Sequence, residues 1–293
     1  MLADTRQKAP KLLVVQVIAG TNSCFVSQLI YYFQVRCLQK DLPKYLSHSS
    51  MATYESCPKK FEYAKIDKIP DPPGRAMLIG TFVHAILEDL MTNDSPGRTI
   101  DQVRTIARNR WDSWFIKNKD YIGLGLDNSQ AVAFRKEAWD SIEGYFAIED
   151  PKTVQVLAVE KRVEVRFGEV SVLGFIDRLE ARDDNTIVSD YKTGKVPHPN
   201  FKDGALAQPY LYAAMLEKLD TAISEYRILY LNSQTEITDK ITRNNIESAE
   251  QRVHDTWGAI TQDFENGNFK TKPSRLCDWC GYKQICPAWV SSR

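Results

Sequence analysis

The chain of 293 residues has no apolar run of about 18 residues or more, so no segment reads as a membrane-spanning helix. It has no net charge, with 38 Lys and Arg against 38 Asp and Glu, which excludes the bulk basic signature of a nonspecific polyanion binder. No secretory leader is expected either. Lys11 to Gly20 holds a short apolar run, but no convincing small-residue cleavage site follows it. The pattern G-x-x-x-x-G-K-[ST] does not occur, so the chain carries no nucleotide-driven motor of its own. The charge that is present is unevenly spread: residues 1–46 carry six Lys or Arg against two Asp, leaving the remainder at −4. Contact with a polyanion then depends on local basic patches and on a metal ion.

What is present is an ordinary globular composition, 43% hydrophobic and 26% charged, at a length that suits one large domain or two modest ones. Six cysteines occur, at 24, 37, 57, 277, 280 and 286. In a chain without a leader, clustered cysteines point to metal rather than disulfides, and the cytoplasm is the expected compartment. Cys277, Cys280 and Cys286 form C-x2-C-x5-C, three thiolates on one short arc that need a fourth ligand from elsewhere. Cys57, followed by Pro58, is the best candidate. Zinc would accept four thiolates, or three with an imidazole, whereas a [4Fe–4S] cluster requires four thiolates; spacing does not choose between them.

The centre of the chain is Gly174 to Lys195. Val170 to Leu179 and Thr186 to Tyr191 are predicted strands, joined by a polar turn from Arg182 to Asn185. Such a hairpin brings Asp177 and Asp190 together, and two carboxylates there suit a hard divalent cation such as Mg2+ or Mn2+. Lys192 shares a strand face with Asp190 and can hold a water or neutralise a phosphate oxygen beside the metal. On its own, D-x-K is usually solvated surface.

Helices are expected near Ser50 (capped by Ser49 or Ser50), at Leu78–Met91, Thr99–Lys117, Ser129–Ile148, Asp203–Leu219 and Asn244–Asn266. A strand is expected at Thr153–Phe167, and a closing hairpin at Ala222–Leu231 and Gln234–Ile241. His84 and Glu88 share a helical face, as do Gln208 and Tyr212. Glu160 is a solvated strand residue or a further acid near the metal. The aromatics of 99–148 read as core. Residues 1–46 are the least legible, with a strand at Leu12–Ala19 and a helix at Phe25–Gln39 as the only suggestions.

Five ordered stretches carry a resemblance. They are Ser47 to Pro58 with its Cys-Pro, G-x-x-x-H-x-x-L-E at Gly80–Glu88, G-x-x-D-R followed by D-Y-K-T-G, Q-x-x-x-Y at Gln208–Tyr212, and the terminal cysteine arc. Together they resemble the RecB-type branch of the PD-(D/E)XK nuclease superfamily, and in the cysteines the iron–sulfur nuclease domains of AddB and of CRISPR-associated exonucleases. The resemblance implies an α/β fold: a restriction-endonuclease-like mixed sheet flanked by helices, with a helical insertion at about 98–150 and an iron–sulfur cap at about 273–290 plus Cys57. The nuclease domain would cover 47–293, after an extension at 1–46. It implies a metal-dependent DNA exonuclease with Asp177, Asp190 and Lys192 catalytic. Metal ligands would be His84, Asp177, Asp190 and the Tyr191 carbonyl, with Gln208 and Tyr212 positioning DNA. Cys57, Cys277, Cys280 and Cys286 would hold [4Fe–4S], zinc being the alternative. The expected partners are DNA and a helicase or recombination protein, with no membrane; if phage-encoded, the compartment is the host cytoplasm. The runner-up is a non-hydrolytic DNA-end-binding subunit, against which the intact acids and lysine argue.

Overall fold

A computed structural model describes residues 40–183, 185–198 and 202–290. The expected strand at Leu12–Ala19 and helix at Phe25–Gln39, with Cys24 and Cys37, lie outside the described residues. Five strands form one sheet in the order β1 (Gln155–Phe167), β2 (Val170–Arg182), β3 (Asn185–Lys192), β4 (Glu225–Tyr230) and β5 (Thr235–Lys240). All neighbours are antiparallel except β3 and β4. The sheet is therefore mixed, and its parallel pair needs a crossover, which α7 (Lys202–Glu217) supplies.

The helices before the sheet are α1 (His48–Ser56), α2 (Pro58–Phe61), α3 (Arg75–Thr92), α4 (Ile100–Ser113), α5 (Lys119–Gly123) and α6 (Asn128–Ile148); α8 (Arg243–Glu265) and α9 (Pro287–Val290) follow it. The cap of α1 is Ser47, not Ser49 or Ser50: its Oγ accepts from the Ser50 amide, while the Ser50 hydroxyl accepts from the Ser47 amide. Cys57 leaves the helix in extended conformation, and Pro58 opens α2 where no amide is needed.

Two large apolar cores lie against the sheet, beside a smaller cluster of Leu206, Tyr226, Ile228 and Tyr230. Met51, Phe61, Val172, Val188, Leu211 and Val253 belong to the one that joins α1, α7 and α8 to the strands. Phe82, Ile86, Leu90, Phe115, Phe134 and Tyr145 belong to the other, under α3, α4 and α6. The expected core aromatics Phe115 and Phe134 are fully buried; Trp114 is exposed. Leu46 adds a short parallel bridge to β2, donating to Ser171 O and accepting from Leu173 N.

Between sheet and α6 lies a buried ionic network. Arg178, fully buried, pairs with Glu149 at 2.5 Å and Glu180 at 2.6 Å and donates to the Tyr191 hydroxyl at 2.9 Å. Arg227 of β4 contacts the same two carboxylates at 2.7 and 2.9 Å and Glu236 at 2.6 Å. The register Arg178↔Ser189↔Arg227 sets both guanidiniums in one row across β2, β3 and β4. Burial alone would push the Glu149 carboxyl up; Arg178, then Arg227, outweigh it and hold it at about 2. A depressed carboxylate contributes stability that is present above its unfolded value and lost as pH falls through the folded one. Glu149 should thus contribute on the order of 3 kcal/mol above about pH 4.5, fading toward pH 2. Replacing Glu149 by Gln should cost about 3–5 kcal/mol at neutral pH, since two buried guanidiniums lose a partner. Urea unfolding at stepped pH checks this, and the gap between variant and parent should close as the pH drops from 4.5 toward 2.

Candidate active site

The site is assembled at the end of β3. The β2–β3 ladder ends at the pair Arg178 and Ser189, and extending its register by one residue sets Asp177 opposite Asp190. Asp177 and Arg178 are consecutive, and strand alternation sends them to opposite faces. Arg178 goes to the network, while Asp177 Oδ2 accepts from the Tyr191 amide at 2.7 Å. Asp190 is buried, and its carboxylate forms an ion pair with Lys192 Nζ at 2.6 Å. Lys192 also donates to Gln208 Oε1 at 3.0 Å. Gln208 Nε2 in turn donates to the Tyr212 hydroxyl at 2.9 Å, which donates to Phe175 O at 2.6 Å. Gly174 makes room for that last contact, because a Cβ there would sit 2.6 Å from the Tyr212 ring.

His84 projects from α3 to the same place. Its Nε2 lies 2.9 Å from Tyr191 O and its Nδ1 3.5 Å from Asp177 Oδ2. With the Nε2 proton given to the carbonyl, Nδ1 is left as the ligating atom, the usual way a backbone carbonyl orients a metal-binding histidine. Tyr191 O is thereby an orienting group for His84.

The structure adds a residue the sequence left open. The pairs Val159↔Arg178 and Lys161↔Ile176 bracket Glu160 opposite Asp177. Glu160 has a φ of 41°, left-handed backbone in the interior of a strand. This conformation is costly for a residue with a Cβ, and such strain gathers at functional sites. His84, Glu160 and Asp177 each offer a ligand atom within 4.8 Å of the others, and among the described residues this is the one such set. Asp190 stands outside it, bound to Lys192. Glu88, on the same face as His84, lines the cleft beside Glu160 and Lys192.

Electrostatics agree with that arrangement. Burial and the Asp177 charge push Glu160 up to about 7. Burial, then Asp177, also raises Asp190 against the pull of Lys192. Burial opposes ionised Asp177 as well, but His84 and the Tyr191 amide hold it below the usual carboxylate range. Burial would lower His84, but the Asp177 charge outweighs it and raises the ring to about 9, so without an ion Nδ1 carries a proton toward Asp177 that a bound cation would displace. Carboxylates crowded enough to raise one another present hard oxygen donors that a divalent cation would satisfy.

Cys57, Cys277, Cys280 and Cys286 line a separate pocket, with Tyr63, Tyr282 and Trp289 among its walls. The terminal arc reaches the opening helices through Tyr63 donating to Ile285 O at 3.1 Å and Tyr282 donating to Ile69 O at 2.9 Å. Lys59 N donates to Lys270 O at 3.0 Å.

Carboxylates and a lysine on adjoining strands of a mixed sheet, beside a helix-borne histidine, make this a hydrolytic nuclease. The chain belongs to the PD-(D/E)XK nuclease superfamily, whose family model matches residues 45–287. It is 24% identical over 188 residues to the Gene 69 protein of Mycobacterium phage D29, covering 55% of this chain and 66% of that one. It is 22% identical over 288 residues to the Gene 69 protein of Mycobacterium phage L5, covering 83% and 96%. Among solved structures, a proposed exonuclease from Eubacterium rectale superposes with a TM-score of 0.49 at 12% identity, over 83% of this chain and 89% of that one.

The strain at Glu160 yields a test. Glu160→Gly should melt no lower than the parent, because glycine accepts the left-handed backbone, whereas Lys161→Gly in the same strand should melt lower. Calorimetric Mn2+ titration should show Glu160→Gly and His84→Ala each binding at least about tenfold more weakly. Superimposable titration curves would return either residue to a structural role.

Proposed function

We propose that the chain is a Mg2+- or Mn2+-dependent DNA exonuclease of the RecB-type branch, acting on single strands or ends. The observation that carries this reading is the convergence of His84, Glu160 and Asp177 within 4.8 Å beside the Asp190–Lys192 pair. His84 Nδ1 and the two carboxylates would hold the ion; the donor set of one imidazole and two carboxylates suits manganese or magnesium. When bound, the ion supplies Lewis-acid polarisation of the scissile phosphate and an acidified water. Tyr191 O fixes the His84 tautomer. Lys192 keeps its proton, because Asp190 outweighs the effect of burial and raises its pKa. Anchored by Asp190 and Gln208, its ammonium faces the cleft lined by His84 and Glu160. There it orients the attacking water and neutralises charge developing on the phosphoryl oxygens. Gln208 and Tyr212 act in this reading by holding Lys192.

In this reading Cys57, Cys277, Cys280 and Cys286, which line one pocket, hold a [4Fe–4S] centre that joins the two ends of the domain, zinc being the alternative. In this reading the chain acts in DNA repair, recombination or replication, in a host cytoplasm if it is phage-encoded like its two Mycobacterium phage relatives, with any unwinding left to a helicase partner.

Two experiments test this. End-labelled single-stranded and duplex DNA is followed over time with Mg2+ or Mn2+ added separately. Asp190→Ala and Lys192→Ala should each lower cleavage by at least about a hundredfold, the scale of a lost transition-state donor, while melting stays within a few degrees of the parent. Undiminished product from either variant would end the assignment. Protein purified without oxygen should be brown, absorb broadly near about 400 nm and hold about four irons per chain. Cys57→Ser should lose iron and melt lower; full iron content with unchanged melting would remove the link between the ends.

A further inference from the structure

A second groove, of about 700 Å3, is linked to the active-site cleft through Gln208, which lines it and accepts a hydrogen bond from Lys192 of the cleft. Gln208 and Tyr212 line its inner end, and Gln208 is the residue that grips Lys192. Lys44, Lys65 and Lys68 line it as well, all exposed and none with an ion-pair partner among the described residues. Asp41 is its one acidic lining residue among those described. His48, on the same wall, is held at about 4 by burial and by Arg252 and Lys192, so it is neutral. In a chain of zero net charge this is a local surplus of positive charge. Two aromatic rings stand open in the same groove, Tyr45 at 43% and Phe175 at 48% exposure. Backbone irregularity marks the lysine wall: Glu62–Ile66 is a π-helix and Lys68 has a φ of 55°.

We infer that this groove is a binding track for an unpaired DNA strand, with Tyr45 and Phe175 stacking bases and Lys44, Lys65 and Lys68 meeting phosphates. It rests on the nuclease reading for its direction: the track leads to Lys192. Open aromatic faces select single strands, because bases in a duplex are already stacked on each other and paired, whereas an unpaired base offers a face to a ring. Charge placed on lysines rather than on base-edge donors gives affinity without sequence preference.

The test is direct binding by the full chain in EDTA, read by fluorescence anisotropy of a labelled oligothymidylate of about 20 nucleotides, longer than the usual site for one such module. Tyr45→Ala and Phe175→Ala should each weaken binding about tenfold. Lys65→Glu with Lys68→Glu should weaken it further and reduce the slope of log affinity against log salt by about 0.7 per lysine removed. A blunt duplex of the same length should bind the parent at least about tenfold more weakly, having no free base faces to stack. All four residues are exposed, so melting of each variant should match the parent; should one unfold, the other single variants still decide. Parent-like affinity in both aromatic variants, or equal affinity for the duplex, overturns the inference. Cleavage is read separately: a parent that binds through these residues yet cuts no DNA with either metal keeps the groove and refutes the nuclease reading. A parent that cuts DNA while the aromatic variants bind like it keeps the nuclease and refutes the groove.

Discussion

A guanidinium with no access to water is tolerated only if its charge is met inside the protein, and Arg178 is met by Glu149 and Glu180. Those carboxylates are shared with Arg227, so neither ion pair can shift without the other. Because Arg178 lies on β2, Arg227 on β4 and Glu149 just beyond α6, the shared charges fix two strands and a helix end against each other. The Tyr191 hydroxyl joins β3 to the same network. Asp177 and Asp190 sit on the reverse side of these braced residues. The closely spaced carboxylates of the site are held in register by charges on the opposite face of the same strands.

Much of this was legible in the residues. The hairpin was readable from β-branched runs around a polar turn, and it placed the two acids in register. The spacing of His84 and Glu88, of Gln208 and Tyr212, and of Asp190 and Lys192 gave the shared faces correctly, since those depend on local periodicity alone. What local pattern does not carry is contact across elements. The bonds of the Gln208 amide to Lys192 and Tyr212 have no signature in helical spacing. Glu160 reads as one acid in an alternating strand. Its position opposite Asp177 comes from pairing, and its left-handed backbone has no sequence signature in a glutamate. Arg178 reads as the second letter of a short motif, and only burial shows that it is the centre of an ionic cluster.

Helix ends show the same division. Ser47, Ser49 and Ser50 are equivalent as capping letters, and the reciprocal bonds between Ser47 and Ser50 choose among them. The start of α3 at Arg75 follows Gly74 without any side-chain cap, so packing sets it instead. The cysteines of the opening helix and the terminal arc are the opposite case: if they share one ligand, their separation in sequence forces the two ends of the domain together, and the structure brings them to one pocket.

That meeting of ends has a consequence for synthesis. The strands β1, β2 and β3 pair with their sequence neighbours, so they can close as soon as each leaves the ribosome. The opening helices cannot. Glu55 waits for Arg252 and Lys272, Tyr54 for Asp263, and Cys57 for an arc some 220 residues later in the chain. Until then the apolar face of α1 has the sheet and α7 to cover it but not α8. Chain order therefore lets the sheet that carries the acids pair before α8 and the terminal arc have been made, and joining the ends closes the longest loop.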